Sequence, residues 1–109
     1  MPDSLHHLKV ANGDLVLAKD MQDALTAATL VFDDSASQTF TTDGKTTYVE
    51  NGRSTRGEWS IVRDGEFSSF WPPDYHATYS LSWIVEDGAI RGLSFTQAGR
   101  GERFDGRYA

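Results

Sequence analysis

The stretch that decides the fold is Ala77-Thr78-Tyr79-Ser80-Leu81-Ser82-Trp83-Ile84-Val85-Glu86, then Asp87-Gly88, then Ala89–Thr96. Tyr79, Leu81, Trp83 and Val85 fall on one side of an extended chain. Thr78, Ser80, Ser82 and Glu86 fall on the other, with Ile84 as the interruption. Side chains of a strand alternate faces, so this is a strand with one buried side. Asp-Gly favours a type I′ hairpin turn, which needs positive φ at both central residues. Ala77–Glu86 is therefore expected to pair with Ala89–Thr96. In the second run Leu93 and Phe95 share a face that Ile90 does not, and Gly92 between them is a natural place for a phase-shifting bulge.

Asp-Gly recurs at Asp43-Gly44 and Asp64-Gly65, each between strand-like runs. Gln38–Thr42 is expected to pair with Lys45–Glu50, and Gly57–Val62 with Glu66–Trp71. Asn12-Gly13 suggests a further hairpin of Leu5–Val10 with Leu15–Ala18. Asn51–Arg56 reads as a polar connection. Pro72-Pro73 ends a strand, because neither residue can donate to a ladder. Thr29–Phe32 reads as a strand, and Gln97–Gly101 as a turn before a last strand, Glu102–Tyr108, which Asp105-Gly106 could end early. Met21, Ala24, Leu25 and Ala28 recur at helical spacing behind Asp20, which predicts one short helix over Asp20–Ala28.

The 109 residues fit a single domain spanning 1–109. Six Phe, four Tyr and three Trp stand beside only three Pro and two Met, the balance of an antiparallel β protein. A net charge of −6 argues against nucleic-acid or anionic-membrane binding, since counterion release needs a basic face. With no Cys, thiol chemistry and cysteine metal sites are excluded. There is no apolar run of membrane-spanning length and no basic, apolar leader at Met1–His7, so a soluble, cytoplasmic protein is expected.

So many short strands cannot lie in one flat open sheet. Short Asp-Gly connections give up-and-down order, so the expected fold is all-β, a small antiparallel up-and-down β-barrel with one short helix. The run Gly57-Glu58-Trp59, the following Asp-Gly turn, an aromatic strand and the Tyr79-x-Leu81-x-Trp83 strand resemble the short calycin-like barrels. The layout over Thr39–Tyr108 is similar to lipocalin-like and molybdenum-cofactor-protein-F-like domains, and more distantly to phenolic acid decarboxylases. The resemblance implies a barrel with an internal ligand and supplies no catalytic residue.

The stretch Phe70–Tyr79 holds four aromatic side chains, Asp74 and His76 around the Pro-Pro turn. At a barrel mouth it would offer stacking faces and two titratable groups. Ser68, Ser69, Asp74 and His76 share that window but lack a nucleophile elbow. His6 and His7 are adjacent and would face opposite sides of a strand, so no metal site is expected. Arg100, Arg103 and Arg107 interleave with Glu102 and Asp105, which suggests local charge pairs. One arginine turned inward, Arg103 before the others, would instead anchor a carboxylate.

Three functions are open to this sequence. The first is binding of a small hydrophobic or aromatic ligand, with Trp71, Tyr75 and His76 at the rim, Tyr79 and Trp83 in the wall, and Trp59, Phe95 and Tyr48 beside them. The second is a small barrel lyase or isomerase, with Glu58 and Glu66 expected to face outward. The third is a filled, ligand-free interaction module. No cofactor is implied, and a homodimer is compatible with all three.

Overall fold

The structure is a computed structural model that describes Leu5 and residues 7–109. Its strands are β1 (Leu30–Phe32), β2 (Ser37–Phe40), β3 (Lys45–Glu50), β4 (Arg53–Arg63), β5 (Glu66–Trp71), β6 (Tyr75–Glu86), β7 (Ala89–Gln97) and β8 (Arg103–Tyr108). Each pairs antiparallel with the next, and β8 returns to β1, so the sheet is a closed up-and-down barrel. Helix α1 (Ala18–Thr26) precedes the sheet. Among the described residues no helix is long and apolar enough to cross a membrane.

The three expected hairpins form as β2–β3, β4–β5 and β6–β7. Their turns differ in detail. Asp87 and Gly88 both have positive φ, at 54° and 74°, as a type I′ turn requires. At the other two Asp-Gly pairs only the glycine does, at 83° for Gly44 and 76° for Gly65. Gly44 N donates to Thr41 O at 3.1 Å, so the β2–β3 turn spans Thr41–Gly44. The bulge falls beside Gly92: Ile84 pairs with Gly92 but Val85 with Ile90, leaving Arg91 as the extra residue. Asp105-Gly106 does not end the last strand, since β8 runs through to Tyr108.

Two connections differ from the sequence reading. Asn51–Arg56 is not a long loop. Asn51 and Gly52, with φ of 51° and 77°, make a tight turn, and β4 starts at Arg53. Thr55 and Arg56 then continue the ladder opposite Tyr48 and Thr47. The Asn12-Gly13 hairpin does not form either. Strand β6 runs past the end of β5, whose ladder with it stops at Glu66–Ser80. The chain at Asn12–Val16 covers that bare edge: Gly13 N donates to Trp83 O, Trp83 N to Asp14 O, and Val16 N to Leu81 O, at 2.9–3.0 Å. Unpaired edge groups, rather than the neighbouring segment, recruit this part of the chain.

The helix begins two residues earlier than its apolar spacing suggests. Its cap comes from elsewhere: Ala18 N donates to Asp64 Oδ1 at 2.7 Å, across from the β4–β5 turn. Asp20 lies in the first turn, where its charge favours the helix dipole. Met21, Ala24 and Leu25 are fully buried. They close one end of the barrel with Leu5, Val16, Leu30, Leu81, Trp83 and Leu93.

Trp83 is 1% exposed, in the middle of that closed end. Trp83→Ala should cost about 3–5 kcal/mol in denaturant unfolding, the range for truncating a buried large aromatic. Tyr108, half-buried against the helix, donates its hydroxyl to Ala24 O at 2.6 Å, and desolvation pushes its phenol well above the ordinary range. The unfolded chain ionises this group near pH 10, while the folded one keeps the proton. The protein should therefore lose stability as pH rises beyond about 10, and Tyr108→Phe should flatten that slope in pH-dependent melts.

Candidate functional site

In an up-and-down barrel, alternate turns lie at opposite ends. The Asp-Gly turns β2–β3, β4–β5 and β6–β7 all belong to the end that the helix closes. The other end carries the β1–β2, β3–β4, β5–β6 and β7–β8 connections. It opens into a cavity of about 470 Å³.

The cavity wall is mostly aromatic. Strand parity on β5 and β6 directs Phe67, Ser69 and Trp71, and Tyr75, Ala77 and Tyr79, to the interior. Phe67 stacks on Tyr79 with centroids 5.5 Å apart. Phe95 meets Phe67 edge-on at 5.7 Å and Phe32 at 5.6 Å. Beneath them, Phe40 meets Phe67 at 5.8 Å and Trp59 at 5.9 Å, both edge-on. This layer separates the cavity from the aliphatic core. Tyr48 lines the β3 side, and Phe104 the β8 side.

Gly57 sets the position of Trp71. A Cβ there would come within 2.6 Å of both the Trp71 ring and the Phe70 carbonyl oxygen. The indole thus lies against bare backbone, and its Nε1 donates to Ser69 Oγ at 3.1 Å. Ser69 Oγ in turn donates to Ala77 O at 3.3 Å. The glycine of the Gly57-Glu58-Trp59 motif makes room for one aromatic, while Trp59 fills the floor and donates to Thr41 O at 3.0 Å.

The residues expected at the site are distributed as follows. Trp71, Tyr75 and Tyr79 line the cavity together. His76 is on the outer face, paired with Phe70 at a ring distance of 4.5 Å. Trp83 points inward like Tyr79 but lies four residues further along β6, roughly 13 Å at strand rise, in the closed end. Arg103 reaches the rim, but in register with Thr96, on the face opposite Phe104 and Phe95. Its Nε donates to Asp105 Oδ1 at 2.9 Å. Phe32, Gln38, Thr55 and Phe67 are lining residues that sequence reading missed. Alternation along Glu66–Trp71 already put Phe67 on one face with Ser69 and Trp71.

Polar groups in the wall divide into engaged and free. Gln38 Nε2 donates to Thr46 Oγ1 at 2.9 Å, and Tyr75 Oη accepts from Gln97 Nε2 at 3.0 Å. Burial pushes the Asp105 carboxyl up, but bonds from Arg103 and Ser94 outweigh it and hold it below the ordinary range. Burial, with Glu50 and Asp34, raises the Tyr48 phenol. Burial, with Tyr75, Glu102 and Tyr48, raises Tyr79 against the opposing pull of Arg100. Both phenols stay protonated at neutral pH. Among the described residues no three His, Asp or Glu side chains converge as metal ligands.

No family model, curated protein or solved structure matches this chain.

Gly57→Ala should destabilise the protein by about 1–3 kcal/mol, the cost of overpacking. It should also displace Trp71 from Ser69. Chemical denaturation reads the first effect, and the indole N–H resonance of Trp71 the second.

Proposed function

We propose that the protein binds a small hydrophobic or aromatic molecule in the mouth of its barrel. The observation that carries this reading is the cavity of about 470 Å³ among Phe32, Tyr48, Phe67, Trp71, Tyr79 and Phe95. Small-molecule sites are concave, mostly apolar and roughly 300–1,000 Å³, with a few polar groups that fix orientation. Burying aromatic faces against a flat ligand gains both area and ring–ring contact. The calycin-like pattern of the sequence also implies an internal ligand. A barrel serving only as an interaction module would have no need of this volume.

Acid–base chemistry finds less support. Glu58 is drawn to Lys45 at 3.1 Å, and Glu66 to Arg63 at 3.2 Å. The imidazole of His76 lies outside the barrel. Two of the phenols that line the cavity, Tyr48 and Tyr79, are held protonated, and Asp105 is engaged by Arg103 and Ser94.

The test uses N-phenyl-1-naphthylamine, a neutral probe whose emission rises in apolar surroundings. Its fluorescence should increase on titration with the protein. Thr55→Trp, at an exposed mouth position, should abolish the increase by filling the cavity. His76→Ala should leave it intact. Enhancement that survives Thr55→Trp would place the probe elsewhere and remove the reading.

A further inference from the structure

We infer that this cavity selects an organic cation, an apolar or aromatic body carrying an amine, an inference that rests on the ligand reading above. Three features of the mouth converge on it. The first is the supply of π faces. Tyr48, Trp71, Tyr75 and Tyr79 line one cavity, and a cation within about 6 Å of such ring centroids is attracted by their quadrupoles.

The second is the state of the polar groups. The serine, the Gln38 amide nitrogen and the Tyr75 hydroxyl already have protein partners. No protein hydrogen bond is made by the Tyr48 or Tyr79 hydroxyl among the described residues, and each keeps lone pairs that can accept from an ammonium. The one cationic lining residue among the described residues, Arg103, is committed to Asp105 through bonds of 2.9 and 3.4 Å. A ligand carboxylate would have to compete with that pair.

The third is the sign of the field. Among the described residues Asp33, Asp34 and Asp105 line the cavity with Arg103, and Arg100 acts on Tyr79 from the β7–β8 connection. Arg107, the next cation along β8, is drawn to Glu86 at 3.0 Å and to Asp33 at 3.5 Å. Asp34 Oδ1 accepts from Ala36 N at 3.0 Å, and its other oxygen makes no protein hydrogen bond among the described residues. Burial is the main cause of the raised phenols; Glu50 and Asp34 add to it at Tyr48, and Tyr75 and Glu102 at Tyr79, where Arg100 pulls the other way. An apolar wall beneath a negative rim concentrates field lines on an entering cation.

The experiment compares three probes with one body: 1-naphthylmethylamine, 1-naphthylmethanol and 1-naphthoic acid, titrated at pH 7 and followed by protein NMR shifts. The amine should bind about tenfold more tightly than the alcohol, equivalent to one cation–π contact of moderate strength, and the acid most weakly. Added salt should narrow the gap. Asp34→Asn keeps the Oδ1 acceptor for Ala36 N, so the turn is preserved. It should reduce the amine's advantage about threefold, the scale of an exposed charge contact, and leave the alcohol unchanged. Alcohol or acid binding as tightly as the amine would overturn the charge selectivity and leave the ligand reading standing. Failure of all three probes to bind would overturn both.

Discussion

The closure of β8 on β1 is the constraint on which the rest depends. β1 has only three residues, and its pairing is Leu30 with Tyr108, Val31 with Arg107 and Phe32 with Gly106. Gly106 lets β8 come this close to β1, and Gly92 lets β7 approach β8 beside it. A Cβ on Gly106 would sit 3.1 Å from the Phe32 ring and 3.3 Å from the Leu30 side chain. A Cβ on Gly92 would sit 1.9 Å from Gly106 O, nearer than any atom can stand. Without closure, β1 and β8 would be bare edges, and the interior would have no fixed width. With eight strands closed, the width is that of a barrel either filled by side chains or left with room for a small cavity, and here a cavity of about 470 Å³ remains at the open end.

Closure also fixes what each end contains. Tyr108 runs from the seam to the helix backbone, so the last strand and the plug are held as one unit. The aliphatic side chains then fill the closed end. Phe40, Phe67 and Phe95 form a floor of edge-on and stacked rings above them. Phe67 meets Phe40 and Phe95 edge-on and stacks on Tyr79, so the floor is tied to the cavity wall. The cavity is the space above that floor, walled by Trp71, Tyr75 and Tyr79.

Much of this was legible in the chain. The hairpins were legible because Asp-Gly turns and period-2 alternation are local signals that need no partner. Tyr75 and Tyr79 share parity, and that parity separates both from His76, so the outward histidine was readable as well. Other features depended on non-local facts. Arg103 takes its face from the register of β8 on Phe95 and Thr96, which no single strand reveals. Trp83 has the right parity but the wrong depth, and depth follows from how far β6 overruns β5. Residues 53–56 looked like a loop because all four are polar and exposed, yet their backbone pairs fully with β3. The segment at Asn12–Val16 looked like half of a hairpin because its own pattern cannot show that β6 has an uncovered edge.

The two rims of this barrel answer to different demands. The helix-side rim carries all three Asp-Gly turns, and Asp64 there both belongs to a turn and caps α1. Those residues are instructions for assembly, and changing them changes whether the chain folds. The open rim is built from a Pro-Pro turn, the Asp33–Ala36 turn, Asn51-Gly52 and the connection at Gln97–Gly101, and apart from the buried Ala36 its side chains mostly meet solvent or cavity. Such a division lets chemistry at the mouth drift without touching the plug. Under the ligand reading proposed above, a few rim substitutions would change which guest is held, while the folding code stays where it is.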